Sequence, residues 1–208
     1  MPPNSLVHVI DDDDAVRDSL EFLLRAAKID VRTYDSATAF LNTVSDGAFG
    51  CIVTDVRMPG MSGVDLLRQL KARGSTMPVI VITGHGDIQL AVEAMKIGAA
   101  DFLEKPFDDE TLLASVKSAL SRLEKDAQRE NEHTELNNRL ATLSTREREV
   151  LEGLVAGKPN KIIAFDLGIS PRTVEIYRAH VMTKMNAGSL SELVRMALLA
   201  GVLNAEET

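Results

Sequence analysis

Five short runs rich in β-branched and other apolar residues alternate with amphipathic segments over the first 124 residues of the chain. Parallel strands need a long crossover, usually a helix, so this alternation predicts an α/β domain whose helices cover both faces of a parallel sheet. Ligands of such sheets bind beyond the carboxyl ends of the strands. The predicted strands are LVHVI (6–10), DVRTY (30–34), CIVTD (51–55), VIVIT (79–83) and DFLEK (101–105), and the predicted helices cover about 15–27, 37–45, 63–73, 88–97 and 108–123.

Charge and composition divide the chain into three parts. The net charge is −7 for residues 1–124, −1 for 125–140 and zero for 141–208. Residues 125–139 (KDAQRENEHTELNNR) contain almost no apolar residue and neither glycine nor proline, which indicates an exposed helix. We therefore predict a first domain at 1–124, a helical linker at 125–140 and a second domain at 141–208 with a different partner.

Helix start and stop signals divide the second domain into four short helices, which predicts an all-α fold. Ser144 and Glu147 have the spacing of a capping box, and Ser170 precedes a proline that suits the first turn of a helix. Gly168 separates two of the helices. The helix, short turn and helix over residues 160–185 are typical of a helix-turn-helix, whose second helix reads DNA.

The chain has no segment that predicts secretion or membrane insertion. No apolar run approaches the roughly 18 residues of a membrane helix. The first residues, MPPNSLVHV, lack the basic flank and apolar stretch of a signal peptide. The single cysteine, Cys51, cannot form an internal disulfide, which suits a reducing compartment. We therefore expect a cytoplasmic protein with no membrane partner.

Carboxylates follow the first and third predicted strands, which end at the same edge of the sheet. Asp11 and Asp12 end the first strand, and Asp55 ends the third. Converging carboxylates repel each other unless a cation lies between them, and oxygen ligands favour a hard divalent ion. The sequence therefore predicts a site for Mg²⁺ or Mn²⁺. Asp13 and Asp14 lie beyond the strand, and we expect Asp14 to cap the following helix.

A hydroxyl and an ammonium group join these carboxylates. Thr83 ends the fourth predicted strand and Lys105 ends the fifth. The set suits phosphoryl transfer, because Lys105 and a metal can neutralise phosphoryl oxygens and Thr83 can donate a hydrogen bond to one of them. Asp55 can then act as the nucleophile and form an aspartyl phosphate.

The first domain resembles the receiver domain of bacterial two-component response regulators. The resemblance rests on the acids Asp11 and Asp12 and on the motifs TDVRMPGMSG (54–63), VITGHG (81–86) and EKPF (104–107). It implies a flavodoxin-like (βα)5 fold with strand order 2-1-3-4-5, a cis peptide bond before Pro106, and phosphorylation of Asp55 by a histidine kinase. It also implies no enzyme in the usual sense, because a receiver catalyses only its own phosphorylation and dephosphorylation.

The same resemblance implies further roles within the first domain. Thr83 and Phe102 are the expected switch residues, with Thr83 moving toward the phosphoryl group and Phe102 turning inward. The face from Ile88 to Lys105 is then expected to pair with a second receiver, so that a monomer becomes a homodimer on phosphorylation. The implied ligands of Mg²⁺ or Mn²⁺ are Asp11, Asp12, Asp55 and the backbone carbonyl of Arg57.

The second domain resembles the four-helix DNA-binding domain of the LuxR/NarL class. Residues 158–186 carry a net charge of +3, so we expect useful affinity for double-stranded promoter DNA only from a dimer on paired half-sites. Glu175 departs from the class, which often has lysine at this position. The implied phosphate contacts are Asn160, Lys161, Thr173 and Lys184, and the implied base contacts are Glu175, Ile176 and Ala179, with Arg178 assisting.

Over its whole length the chain is similar to response regulators of the NarL class that control nitrogen-fixation genes. This resemblance implies a FixL-like histidine kinase that senses oxygen through haem. It also implies activation of transcription and RNA polymerase as a further partner.

Three other functions fit parts of the pattern. A phosphatase of the haloacid dehalogenase type also forms an aspartyl phosphate, but it needs an acid two residues after the nucleophile, where this chain has Arg57. An FMN carrier of the flavodoxin type would need a phosphate-binding loop where this chain has four aspartates at 11–14. A helical module that binds only protein would account for the second domain without DNA.

Overall fold

The structure is a computed structural model that describes residues 6–45, 48–84 and 88–202. The chain divides into two compact units, Met1–Asp126 and Ala127–Thr208. Part of the VITGHG motif, residues 85 and 86, lies outside the described residues, as does the side chain of Ile88. No helix in the described ranges is both long and apolar enough to cross a membrane.

The first unit contains a five-stranded parallel sheet in the order β2-β1-β3-β4-β5, which confirms the predicted fold and strand order. The strands are β1 Leu6–Ile10, β2 Asp30–Tyr34, β3 Cys51–Asp55, β4 Val79–Thr83 and β5 Asp101–Glu104. The helices that alternate with them are α1 Asp14–Ala26, α2 Ala37–Thr43, α3 Gly63–Ala72, α4 Ile88–Ile97 and α5 Asp109–Ala141.

Both faces of the sheet are buried, as expected for parallel strands covered by helices. Val9 and Val53 belong to one apolar layer, against α1 and the beginning of α5. Ile10 and Ile52 belong to the other layer, against α2, α3 and α4. Cys51 is fully buried in the first layer, and burial raises the pKa of its thiol to about 12, so this cysteine is a core residue.

The strand register gathers the predicted site at one edge of the sheet. Ile10 pairs with Thr54, so that Asp11 and Asp55 follow at the same level. Thr83 pairs with Glu104, and the amide of Lys105 donates to the carbonyl oxygen of Thr83 at 2.7 Å. The carboxyl ends of β1, β3, β4 and β5 therefore present their polar residues side by side. The peptide bond between Lys105 and Pro106 is cis.

The prediction that Asp14 caps α1 was wrong, because the cap is Asp13. Asp13 has an extended backbone, and its carboxylate accepts hydrogen bonds from the amides of Ala15 and Val16 at 2.9 and 3.4 Å. Asp14 is already helical, and its carboxylate pairs with Arg17 one turn later. Four identical residues in a row gave no means of finding the residue where helical dihedrals begin.

The second unit contains the end of α5 and four further helices. These are α6 Thr145–Val155, α7 Asn160–Leu167, α8 Pro171–Met185 and α9 Leu190–Leu199. The segment predicted as a helical linker belongs to α5, which runs without a break from Asp109 to Ala141. Gly168 ends α7 in the left-handed conformation, and Ser170 caps α8. Val150, Leu151, Val174 and Val181 are fully buried where these helices meet.

Gly63 allows the start of α3 to approach the backbone of the predicted phosphoacceptor. Its amide donates to the carbonyl oxygen of Val56 at 3.1 Å, and a Cβ atom built on it would lie 2.2 Å from the carbonyl oxygen of Asp55. That distance is too short for any side chain. Backbone atoms would have to shift to admit a methyl group, because the obstructing atom is itself backbone.

We expect Gly63→Ala to destabilise the chain, although alanine is the better helix former by up to about 1 kcal/mol. Overpacking of this kind typically costs about 1–3 kcal/mol, which outweighs the gain in helix propensity. Urea unfolding monitored by circular dichroism measures the change. Gly84→Ala is the matched control, because a Cβ atom there meets nothing within 4 Å. Equal stabilities for the two variants would contradict the steric argument.

Candidate functional site

The centre of the candidate site is the ammonium group of Lys105, which bridges two carboxylates. Its Nζ atom lies 2.7 Å from Oδ1 of Asp55 and 3.2 Å from Oδ2 of Asp11. Burial alone would lower the pKa of Lys105, but the hydrogen bond and charge of Asp55, together with Asp11, raise it above its usual value. The lysine is therefore a permanent cation that holds two carboxylates from different strands together.

Asp55 is fixed at both carboxylate oxygens but is not sealed from solvent. Oδ1 accepts from Lys105, and Oδ2 accepts from the backbone amide of Arg57 at 2.6 Å. The residue is 8% exposed, whereas the other residues of β3 are 1% exposed or less. Asp55 therefore presents an oriented carboxylate with a small solvent-exposed area at the end of an otherwise fully buried strand.

Asp11 is held by its own loop and by α1. Its Oδ1 accepts from the amide of Asp13 at 2.9 Å. Arg17, one turn into α1, donates from Nη1 to the carbonyl oxygen of Asp11 at 2.6 Å and also pairs with Asp14. The Arg17 side chain is only 14% exposed, so a nearly buried guanidinium fastens the loop that carries Asp11 and Asp12.

The donor set fits a hard divalent cation, although the predicted ligands are only partly assembled. Asp11 and Asp55 lie together, while the Asp12 side chain is exposed. Within the described ranges, no three His, Cys, Asp or Glu side chains form a group that could hold a metal. The amide of Arg57 is bound to Asp55, and the role of its carbonyl as a ligand stays a prediction. Oxygen atoms are nevertheless the ligands that Mg²⁺ and Mn²⁺ prefer.

The predicted switch residues lie on neighbouring strands of the same edge. Thr83 is 1% exposed, and its hydroxyl donates to the carbonyl oxygen of Gly84 at 3.3 Å. Phe102 is half-buried against the apolar layer that includes α4, and it pairs in register with Val81. A buried hydroxyl at the site and a half-buried ring beside α4 are the groups that a switch of this kind needs, but their movement stays a prediction.

The predicted DNA-binding residues lie on α7 and α8 of the second unit. Lys161, Glu175, Ile176 and Ala179 are exposed. Asn160, Thr173 and Arg178 are half-buried, and the Thr173 hydroxyl is 2.8 Å from that of Ser170, the cap of α8. The exposed members of the set can reach a ligand without any rearrangement of the core.

Lys184, predicted to contact phosphate, is engaged within the domain. Its Nζ atom lies 2.6 Å from Oε2 of Glu147 and 3.2 Å from the carbonyl oxygen of Thr142. Glu147 also completes the capping box of α6 by accepting from the amide of Ser144 at 2.7 Å. The hydrogen bond from Lys184, followed by that from Ser144, lowers the pKa of Glu147 from 4.5 to about 2. This buried carboxylate therefore ties the beginning of α6 to the end of α8.

Two arginines near the predicted sites were not among the predicted residues. Arg17 lies beside the acidic loop. Its position in the sequence, one helical turn after Asp14, could have identified it as a partner of this loop. Arg172 lies in the first turn of α8 and is exposed. Its place directly after the Ser-Pro helix start could have identified it, because recognition helices contact bases through their N-terminal residues.

The acidic edge of the sheet and the helix-turn-helix together define a response regulator, a class in which a phosphorylatable domain is joined to a DNA-binding domain. Residues 7–117 match the response regulator receiver domain family, and residues 141–197 match the luxR family of bacterial regulatory proteins. The chain therefore belongs to the two-component response regulators with a LuxR-type DNA-binding domain.

Among individual proteins, the chain is 61% identical to the transcriptional regulatory protein FixJ of Azorhizobium caulinodans, over 100% of this chain and 98% of the relative. Full-length FixJ from B. japonicum is a structural neighbour with a TM-score of 0.62 and 54% identity, covering 98% of this chain and 100% of that one. The response regulator StyR is another, with a TM-score of 0.83 and 40% identity, covering 94% and 98%.

We expect Arg17→Met to weaken Mg²⁺ binding by about 10-fold, the effect typical of losing a group that orients a metal ligand. Removing a positive charge near the site would by itself strengthen the binding of a cation. Weaker binding would therefore show that the contact of Arg17 with the Asp11 loop orients the metal ligand. Isothermal titration of Mg²⁺ into the full chain measures the affinity. Arg25→Gln removes a charge from the exposed side of the same helix and should leave the affinity unchanged. Tighter binding by Arg17→Met would show that only charge matters.

We expect Glu147→Gln to destabilise the second unit by about 2 kcal/mol near pH 7, the value of a hydrogen bond to a charged group. Because the folded pKa lies below the unfolded one, the contribution of Glu147 is fully present above pH 4.5 and is lost as the pH falls toward 2. The difference in unfolding free energy between the wild type and the variant, measured at intervals from pH 6 to pH 3, should therefore become smaller as the pH falls. Glu152→Gln, at an exposed position of α6, is the control. A constant difference across this range would contradict the linkage.

Proposed function

We propose that a histidine kinase phosphorylates this protein on Asp55, and that the phosphorylated protein dimerises and activates transcription from promoter DNA. The observation that carries the proposal is the bridge from Lys105 to Asp11 and Asp55 at the carboxyl edge of the sheet. Lys105 holds the nucleophile in place before phosphorylation, and its ammonium is close enough to bind a phosphoryl oxygen afterwards.

Each residue of the proposed site has one task in the transfer. An Oδ atom of Asp55 attacks the phosphorus of the kinase phosphohistidine, forming a P–O bond as the P–N bond breaks and the imidazole leaves. The amide of Arg57 orients the attacking carboxylate, and Thr83 donates to a phosphoryl oxygen of the product. A divalent ion held by Asp11, Asp12, Asp55 and the carbonyl of Arg57 would neutralise charge on the transferring group.

The surface from Ile88 to Lys105 is the proposed dimerisation face. Val92 and Met95 on α4 are 48% and 50% exposed, which supports an apolar contact on this helix. Phe102 lies on the adjacent strand, so a change in its position reaches the face directly. Phosphorylation would thus shift the population from a monomer toward a homodimer.

The two DNA-binding domains of the homodimer would then bind DNA together. Asn160, Lys161 and Thr173 are the proposed phosphate contacts, with Lys184 available only if its bond to Glu147 breaks. Glu175, Ile176 and Ala179, assisted by Arg178, are the proposed base contacts.

Because the similar proteins named FixJ are transcriptional regulators, we propose nitrogen-fixation genes as the targets, a FixL-like oxygen-sensing kinase as the donor and RNA polymerase as the further partner. We also propose a cytoplasmic location. The proposed domain limits are 1–124, 125–140 and 141–208. A haloacid dehalogenase activity is not favoured, because the position of the required acid is occupied by Arg57, which has no carboxyl group.

We expect Asp55→Asn to abolish both phosphorylation and dimerisation. Acetyl phosphate and Mg²⁺ should give the wild type a phosphoprotein band on a phosphate-affinity gel and a doubled mass by light scattering. The variant should show neither change, because an amide oxygen is a poor nucleophile. Asp18→Asn, at an exposed position of α1, should behave as the wild type. A band that persists in Asp55→Asn would move the site elsewhere, and a phosphorylated wild type that stays monomeric would contradict the dimer.

A further inference from the structure

One stripe of α8 faces away from the core along the whole helix. Val174, Val181 and Met185 are fully buried on the opposite side. Helical periodicity of 3.6 residues places the outward stripe about half a turn from them, and every residue on it is exposed. The stripe consists of Arg172, Ile176, Ala179 and Thr183.

Arg172 is the only member of this stripe with free hydrogen-bond donors. Ile176 and Ala179 have no polar side-chain atoms, and the Thr183 hydroxyl donates to the carbonyl oxygen of Ala179 at 3.0 Å. In the described part of the chain, no hydrogen bond or ion pair engages the Arg172 guanidinium. Of the other two long cations of α8, Lys184 is engaged with Glu147 and Arg178 is half-buried.

The position of Arg172 along the helix is also the one that reaches base edges. Ser170 caps α8 with its hydroxyl, and Pro171 is the first helical residue, so Arg172 lies in the first turn. A recognition helix enters the major groove with its N-terminal residues against the bases. Thr183, at the opposite end of the stripe, lies three turns further from that point.

The chemistry of the stripe favours guanine as the base. Arginine binds O6 and N7 of guanine through two parallel hydrogen bonds, which is the commonest specific contact in the major groove. Ile176 and Ala179, further along the stripe, supply apolar contact suited to a thymine methyl group. A phosphate contact by Arg172 is the alternative, but phosphates lie beside the groove, whereas this stripe is the ridge of the helix that enters it.

We propose that Arg172 is a specificity-determining residue that binds the major-groove edge of one guanine in each half-site. The proposal rests on the proposed binding of promoter DNA, and it adds a base contact at a position where none was predicted. Its consequence is a required guanine at one position of each half-site, next to positions read by the apolar residues of the stripe.

Selection of binding sequences from a random duplex pool tests the proposal, using the full chain treated with acetyl phosphate and Mg²⁺. The wild type should enrich paired half-sites that each contain one invariant guanine. Arg172→Ala should lose the preference at that guanine alone and bind the wild-type sequence about 10- to 100-fold more weakly. Its affinity for unrelated duplex should stay within about 3-fold of the wild type, because at most one phosphate contact is at stake.

The control variants separate this role from others. Arg146→Ala removes an exposed cation from α6, where it pairs with Glu149, and should leave the selected sequence unchanged. Arg172→Lys should retain part of the guanine preference, since lysine can also reach O6 and N7.

An unaltered selected sequence with an equal loss of affinity for all DNA would overturn the base contact and assign Arg172 to phosphate. Failure of the phosphorylated wild type to enrich any sequence would overturn the proposed DNA binding and this inference with it.

Discussion

The bridge formed by Lys105 between Asp11 and Asp55 is the interaction on which the first unit depends for its function. Two carboxylates on adjacent strands repel each other, and in a partly buried edge that repulsion is strong because solvent screens it poorly. One ammonium compensates both charges, and a divalent ion from solution can join the same oxygens. The site is therefore assembled by electrostatic compensation, at the edge of a sheet whose central strands are otherwise mostly apolar.

The backbone around this bridge is held in place as firmly as the charged side chains. β1, β3 and β5 each bring one of the three groups to the same edge, and their parallel register leaves no freedom to slip, because a shift of one residue would exchange the faces of every side chain. Gly63 lets α3 begin against the carbonyl oxygen of Asp55. Arg17 fastens the loop after β1 from the other side. Close packing of the backbone thus sets the positions of the site residues, and their charges determine the reactivity of the site.

In the second unit a buried carboxylate has the corresponding organising role. Glu147 accepts from Lys184 at the end of α8 and from Ser144 at the beginning of α6, so the two helices are joined by a charged contact as well as by the apolar core. The ammonium group of Lys184 is thereby engaged within the domain. The stripe headed by Arg172 is exposed along α8 and offers one strong donor followed by small or apolar side chains.

The sequence by itself determined the elements of this protein and the identity of its reactive groups. Alternating apolar runs, the Ser144 capping box and Gly168 are local signals, and each involves residues close together in the chain. The helical nature of residues 125–140 also followed from composition. The order of the strands came from family resemblance, since periodicity alone does not say which strands are neighbours.

Only the tertiary structure decided which groups meet. Lys105 and Asp11 are 94 residues apart, and Lys184 and Glu147 are 37 apart, so their pairing depends on the packing of whole elements. The same limit explains why the engagement of Lys184 with Glu147 does not follow from the sequence. Even the choice of Asp13 over Asp14 as the cap required the backbone dihedrals. Local pattern determines what a residue can do, while distance and burial determine what it is bound to, because hydrogen bonds and solvent-screened ion pairs form only between groups that are close in space.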